Sequence, residues 1–257
     1  MKSLEGKKGL VVGIANEHSI AWGCAKAFHG AGAEIAVTYL NEKAERFVRP
    51  LAEQINSPII LPLDVQDDQQ MADLFEVIGE SWGGLDFLLH SIAFAPMEDL
   101  HGRVVDCSRE GFLKAMDISC HSFLRMARLA EPLLKRGDDG GSLLTVTYYG
   151  SEKVVPHYGV MGPVKAALES AVRYLASDLG NDRIRVNALS PGPLMTRAAS
   201  GIRDFEQLLA EARAKAPEHE VVGIDDVGAL ARFLVSDEAR FITGNVAYVD
   251  AGFHTVL

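Results

Sequence analysis

Short apolar runs alternate along the chain with longer stretches in which apolar residues recur every third or fourth position. The runs fall at residues 9–14, 34–39, 58–63, 85–92, 142–147, 183–189 and 245–249. They are rich in Val, Ile and Leu with little polar alternation, as in strands buried on both faces of a parallel sheet. Between them, Ile20, Cys24, Ala27 and Phe28 share one helical face. So do Met71, Leu74, Phe75 and Ile78; Val164, Leu168, Ala171 and Leu175; and Val227, Leu230, Ala231 and Leu234. This alternation predicts an α/β fold: a doubly wound, parallel seven-stranded sheet with helices on both faces. Ligands of such sheets sit beyond the carboxyl ends of the strands, near the switch in strand order.

No repeat, charge block or linker divides the 257 residues, and the turn-like stretch 137–141 is short enough to be one loop, so a single domain, 1–257, is expected. A composition 48% hydrophobic and 23% charged is globular and excludes disorder and low complexity. No apolar run reaches the roughly 18 residues of a membrane span, and residues 1–8 lack the features of a signal peptide. Cys24, Cys107 and Cys120 are scattered, without CxxC spacing, which argues against a disulfide framework or a zinc site. These features together predict a cytoplasmic protein. The net charge of −10 argues against nucleic-acid or anionic-membrane partners.

The first run ends at Gly13, and a helical pattern follows with Ser19 in the N-cap position. A glycine turn feeding a helix N-terminus presents amides and partial positive charge to a pyrophosphate. The pattern is weaker than GxGxxG, since only Gly13 and Gly23 are glycine, and it also suits a plain strand-to-helix turn. After the second run, Tyr39-Leu40-Asn41-Glu42 offers no cation to a 2′-phosphate, with Lys43 the nearest, which favours NAD(H) over NADP(H). Glu42 suits ribose hydroxyls or a solvated helix start. Asp64, ahead of Val65, suits the adenine amino group or a helix cap.

After the fifth run come Tyr148, Tyr158 and Lys165. If helical, Tyr158 and Lys165 lie two turns apart on one face, about 10 Å along the axis. A nearby ammonium favours the phenolate of a tyrosine whose ordinary pKa is about 10, and it can also hold a cofactor ribose. The plainer alternative is aromatic packing beside a solvated lysine. His90 and His121 read as isolated, buried, hydrogen-bonded histidines, and no metal-ligand set is evident.

The chain resembles the short-chain dehydrogenase/reductase superfamily over nearly its whole length. The resemblance lies in Arg183-Ile184-Arg185-Val186-Asn187-Ala188-Leu189-Ser190-Pro191-Gly192-Pro193 with Thr196, in Thr243-Gly244-Asn245, and in Val249-Asp250-Ala251-Gly252. Ordinary members carry Tyr-x3-Lys and a Ser thirteen residues before the Tyr; anchored on Lys165, those positions hold Met161 and Tyr148. Tyr148, Tyr158, Met161 and Lys165 instead match the Tyr…Tyr-x6-Lys pattern of bacterial NADH-dependent enoyl-[acyl carrier protein] reductases. Ser19-Ile20-Ala21-Trp22-Gly23, His90-Ser91-Ile92-Ala93-Phe94-Ala95-Pro96 and Ala198-Ala199-Ser200-Gly201-Ile202 match as well.

The resemblance implies a Rossmann-type fold, NADH as cofactor and reduction of a trans-2-enoyl thioester in type II fatty acid biosynthesis. It implies an acyl carrier protein substrate and a homotetramer. It places Gly13, Ser19, Ile20, Leu40, Asp64, Val65, Ile92, Lys165 and the segment Leu194, Met195, Thr196, Arg197 and Ala198 at the cofactor. Tyr158 would hydrogen-bond the thioester oxygen as charge develops there, and Lys165 would hold the nicotinamide ribose. Tyr148 would order the acyl site, or merely wall it. Ala95, Met161, Ala198, Ala199, Ile202 and Phe205 would touch substrate. Residues 196–216 would form a lid, unless they are a plain amphipathic packing helix, and Arg203, next to Ile202, would meet the acidic carrier or merely pair with a neighbouring lid carboxylate. The final proton donor is unassigned: residues 116–122, where ordinary members carry Asn, contain none. Two alternatives remain, a carbonyl reductase of the same superfamily and a non-catalytic NAD sensor.

Overall fold

In the computed structural model, which describes residues 3–136, 140–196 and 205–256, every predicted run contains or overlaps a strand. These are β1 (Lys8–Val12), β2 (Glu34–Tyr39), β3 (Ile60–Pro62), β4 (Phe87–His90), β5 (Ser142–Val146), β6 (Arg185–Pro191) and β7 (Val246–Val249). All pair in parallel, in the order β3-β2-β1-β4-β5-β6-β7. The chain winds outward from β1 to β3 and then crosses back to β4 on the other side of β1. That reversal opens the crevice beyond β1 and β4. β6 begins and ends two residues later than predicted, because Arg183 takes a left-handed φ of 58° and pairing continues to Pro191 opposite Val249.

The helices are α1 (Ile20–Gly30), α2 (Glu42–Gln54), α3 (Asp68–Trp82), α4 (Met97–His101), α5 (Arg109–Met116), α6 (Ser122–Leu134), α7 (Met161–Leu179), α8 (Phe205–Lys215) and α9 (Ile224–Val235). Their ends follow local chemistry. The Asn41 side chain accepts from the Ala44 amide at 3.1 Å to open α2, Asp67 accepts from Gln69 and Gln70 to open α3, and α3 stops at left-handed Gly83.

Two buried cores flank the sheet. α1, α2 and α9 cover one face, where Phe28 meets Phe87 edge-on at 4.8 Å. α3, α6 and α7 cover the other. In α7 the fully buried row is Val164, Leu168, Val172 and Ala176, with the predicted Ala171 and Leu175 half-buried beside it. The row facing the sheet follows i, i+4 spacing more closely than the sequence pattern implied.

Toward the carboxyl ends this second layer turns polar. The His90 ring lies between the hydroxyls of Thr145, at 3.0 Å, and Ser122, at 2.8 Å. Ser122 donates to the carbonyl of Ile118 at 2.6 Å. Ile118 belongs to a π-helical turn, Asp117–His121, inserted between α5 and α6, a feature that often accompanies functional sites. His121 departs from expectation: it is exposed and lies 3.5 Å from Asp117, because this turn directs it to solvent.

Candidate active site

At the β1 edge, Gly13 has φ of +113°, and a Cβ there would lie 2.0 Å from the Ser91 carbonyl oxygen. Only glycine lets the end of β1 lie against the end of β4. Ser19 holds the N-cap position of α1 but does not cap it: its hydroxyl turns back to accept from the amides of Ala15 and Asn16 at 3.0 and 3.1 Å. It therefore closes the turn, which removes the capping bond expected from the sequence. No acidic residue stands in the first turn of α1, so its partial positive end faces the crevice with no carboxylate from that turn.

Beyond β2, Leu40 is exposed, Asn41 caps α2 and Glu42 opens it. Beyond β3, the Asp64 carboxylate accepts from the Gln66 amide at 3.0 Å, while Asp67 takes the helix cap. Val65 is buried and Ile92 half-buried. These residues line up along the carboxyl edge in the order of the strands.

The chemical end is a cavity of about 310 Å³ bounded by β5, β6, α7 and the segment after β4. Ile20, Ala95, Tyr148, Tyr158, Met161, Lys165, Leu194, Thr196 and Phe205 line it. Tyr158 is not helical, which corrects the two-turn expectation. It sits in the turn before α7, between His157 at φ 61° and Gly159 at φ 46°. A Cβ on Gly159 would lie 2.2 Å from the Leu100 carbonyl oxygen. This turn folds Tyr158 over the first turns of α7, so seven residues separate two groups that line one cavity.

Lys165 is buried, and its ammonium donates to the Val146 carbonyl at 2.6 Å. Burial pushes its pKa down to about 8, against the opposing pull of Cys120 and Glu169. Burial pushes the phenol of Tyr158 up, and Glu169 adds to this, so the phenolate expected beside Lys165 is disfavoured. Burial also raises the phenol of Tyr148, helped by Tyr149 and Tyr158. The rings of Tyr148 and Tyr158 meet edge-on, 5.1 Å between centroids. Among the described residues the buried Tyr148 hydroxyl makes no hydrogen bond of normal geometry, although Tyr149 lies close enough to act on it.

Of the remaining expected positions, Met195 is exposed beside the cavity. Arg197, Ala198, Ala199, Ile202 and Arg203 lie outside the described residues, which omit 197–204 of segment 196–216 but include α8. The cavity adds Phe94, Met97, Leu100 and Thr147, which sequence reasoning missed. The one available signal was large apolar residues in the otherwise aperiodic stretch 93–101.

The family model described as Enoyl-(Acyl carrier protein) reductase matches residues 13–254. Enoyl-[acyl-carrier-protein] reductase [NADH] 1 of Rhizobium meliloti (strain 1021) is 48% identical over 253 residues, 98% of this chain and 92% of its own. The enoyl-(acyl-carrier-protein) reductase of Anaplasma phagocytophilum, solved in complex with NAD, matches with a TM-score of 0.94 at 49% identity, covering 99% of this chain and 96% of that one. The Bacillus cereus enoyl-acyl carrier protein reductase, solved with NADP+ and indole naphthyridinone, matches with a TM-score of 0.96 at 44% identity, each chain covered in full. With its doubly wound sheet and its Tyr148, Tyr158 and Lys165 around one cavity, the chain belongs to the enoyl-(acyl carrier protein) reductase family.

Proposed function

We propose that this protein is an NADH-dependent enoyl-[acyl carrier protein] reductase, an oxidoreductase that saturates the trans-2 double bond of enoyl thioesters in bacterial type II fatty acid biosynthesis. The observation that carries the reading is one apolar cavity that holds Tyr148, Tyr158 and Lys165, with Met161 where ketone-reducing relatives place their tyrosine. Met161 offers no proton to a carbonyl, which disfavours the carbonyl-reductase alternative.

The crevice suits the dinucleotide. The start of α1 and the Gly13 turn meet its pyrophosphate. Leu40, Asp64 and Val65 would follow its adenosine half, Ile92 would pack under the adenosine or the nicotinamide ribose, and Leu194, Met195, Thr196, Arg197 and Ala198 would follow the nicotinamide amide and the phosphates. Lys165 holds the nicotinamide ribose. When bound, NADH supplies the hydride that the β-carbon of the substrate receives.

As that bond forms, negative charge gathers on the thioester oxygen. Tyr158, kept protonated by burial, donates a hydrogen bond to it there. A donor aimed at developing charge contributes about 3–4 kcal/mol to the barrier in comparable sites. The Tyr148 hydroxyl orders the thioester, while Ala95, Met161, Ala198, Ala199, Ile202 and Phe205 contact the acyl chain. Segment 196–216 covers the substrate within a chain that acts as one catalytic unit, and Arg203 engages the acidic carrier.

The assembly we favour is a homotetramer in the cytosol. Exposed apolar side chains such as Val154, Tyr174 and Phe241 offer surface for it. Among the described residues, no helix is long and apolar enough to cross a membrane. The deciding assay is NADH consumption with crotonyl-CoA, compared with an acetoacetyl thioester. Strong turnover of the first and little of the second is expected, and the reverse order would refute the reading.

A further inference from the structure

Two side chains of α7, one helical turn apart, grip consecutive residues at the end of β5. The ammonium of Lys165 donates to the carbonyl of Val146 at 2.6 Å, and the hydroxyl of Thr147 donates to Oε1 of Glu169 at 2.6 Å. Thr147, Lys165 and Glu169 are all buried. The next residue is Tyr148, whose ring touches that of Tyr158. Glu169 does not line the cavity and takes no part in the chemistry derived above. Burying a carboxylate is costly unless donors and a nearby cation offset it, so its place behind the site calls for a reason.

We propose that Glu169 is a positioning residue of the active site: through Thr147 it pins the end of β5 to α7, one helical turn along α7 from Lys165. The proposal rests on the reading of Lys165 as the ribose ligand. Pinning Thr147 fixes the backbone from which Tyr148 projects. The charge of Glu169 favours the protonated form of Lys165 against the cost of burial.

The other titratable groups around Lys165 cannot replace that charge. His90, from β4, is held neutral by burial, the Lys165 charge adding to the effect. Burial also raises the thiol of Cys120, in the π-helical turn, and the phenol of Tyr158, in the turn before α7. The charge of Glu169 also disfavours the phenolates of Tyr158 and of Tyr248 of β7, the latter a phenol pushed up to about 12, chiefly by burial. Neither supplies charge at neutral pH.

The test uses Glu169→Gln, Thr147→Val and Thr147→Ser in the full-length protein. NADH affinity is titrated from about pH 6 to pH 9, alongside crotonyl-CoA kinetics and melting temperature. Glu169→Gln keeps an oxygen that accepts from Thr147. It should melt near the parent and bind NADH normally at the acid end, yet bind about threefold or more weakly near pH 8, where about half of the parent molecules still hold the Lys165 proton. Thr147→Val should lower kcat about fivefold with an unmoved pH profile, and Thr147→Ser should restore it. A parental pH profile in Glu169→Gln, or a parental kcat in Thr147→Val, overturns the proposal. Should Glu169→Gln not fold, the Thr147 pair decides alone. A parent that fails to reduce crotonyl-CoA would instead overturn the functional reading, whatever the variants do.

Discussion

The hydroxyl of Ser119 bridges both backbone groups of Phe94, accepting from its amide at 2.9 Å and donating to its carbonyl at 3.0 Å. Ser119 sits fully buried in the π-helical turn, and Phe94 forms a wall of the cavity. This one side chain moors the otherwise irregular segment after β4. Ser119→Ala should leave two backbone groups unsatisfied, lower stability by about 1–3 kcal/mol and raise KM for crotonyl-CoA more than it lowers kcat. A variant that loses stability but keeps its KM would show that Phe94 is held by other contacts.

Tyr158→Phe should bind NADH as the parent does and turn over about 10- to 1000-fold more slowly, the scale of one lost oxyanion donor. Parental turnover would remove Tyr158 from that role. Lys165→Ala should in addition weaken NADH binding, and an unchanged dissociation constant in a fluorescence titration would contradict the ribose contact.

His90 should stay uncharged well into acid. Burial, reinforced by the Lys165 charge, pushes its pKa from 6.5 to about 3. The unfolded chain takes up this proton near pH 6.5 and the folded chain refuses it. The stabilisation is therefore complete above that value and is lost as pH falls towards 3, by up to roughly 1.4 kcal/mol per unit. Ring nitrogen shifts that do not move between about pH 7 and pH 4.5, followed by NMR, are the expected result. A titration centred near the ordinary histidine value would contradict it.

NADH should surpass NADPH in kcat/KM, since Leu40, Asn41 and Glu42 offer no cation to a 2′-phosphate. The Bacillus cereus relative solved with NADP+ makes the comparison worth measuring directly. A preference for NADPH would mean that Lys43 or a more distant cation reaches the ribose.

The sheet was legible because its strands are buried on both faces, so runs such as Leu143-Leu144 and Val11-Val12 declare themselves without reference to any partner. The turn at Tyr158 was not. It depends on left-handed residues at 157 and 159 and on the approach of Gly159 to Leu100, some sixty residues earlier in the chain. Glu169 was hidden for a related reason: a glutamate on an amphipathic helix reads as solvated, and only the sheet packed against α7 reveals that it is enclosed. The polar contacts of Ser19 likewise depend on a loop whose path no periodicity describes. Met97 and Leu100 share a face of α4, but a helix of five residues is too short for its period to declare itself in the sequence, and Phe94 precedes it in a loop.

The contact between α1 and α9 bears on how the protein comes to be made. Lys26 and Asp225 meet at 2.6 Å although 199 positions separate them. Phe28 meets Phe87 of β4 early, but the side of α1 at Gly23 and Ala27, which rests on Ile224 and Gly228, waits for its cover until α9 has been made. A nascent chain of this design presents greasy surface for much of its synthesis, and closure over so long a loop is slow. Loss of soluble protein on removing α9 is the expected outcome of pairing two segments so far apart in the chain.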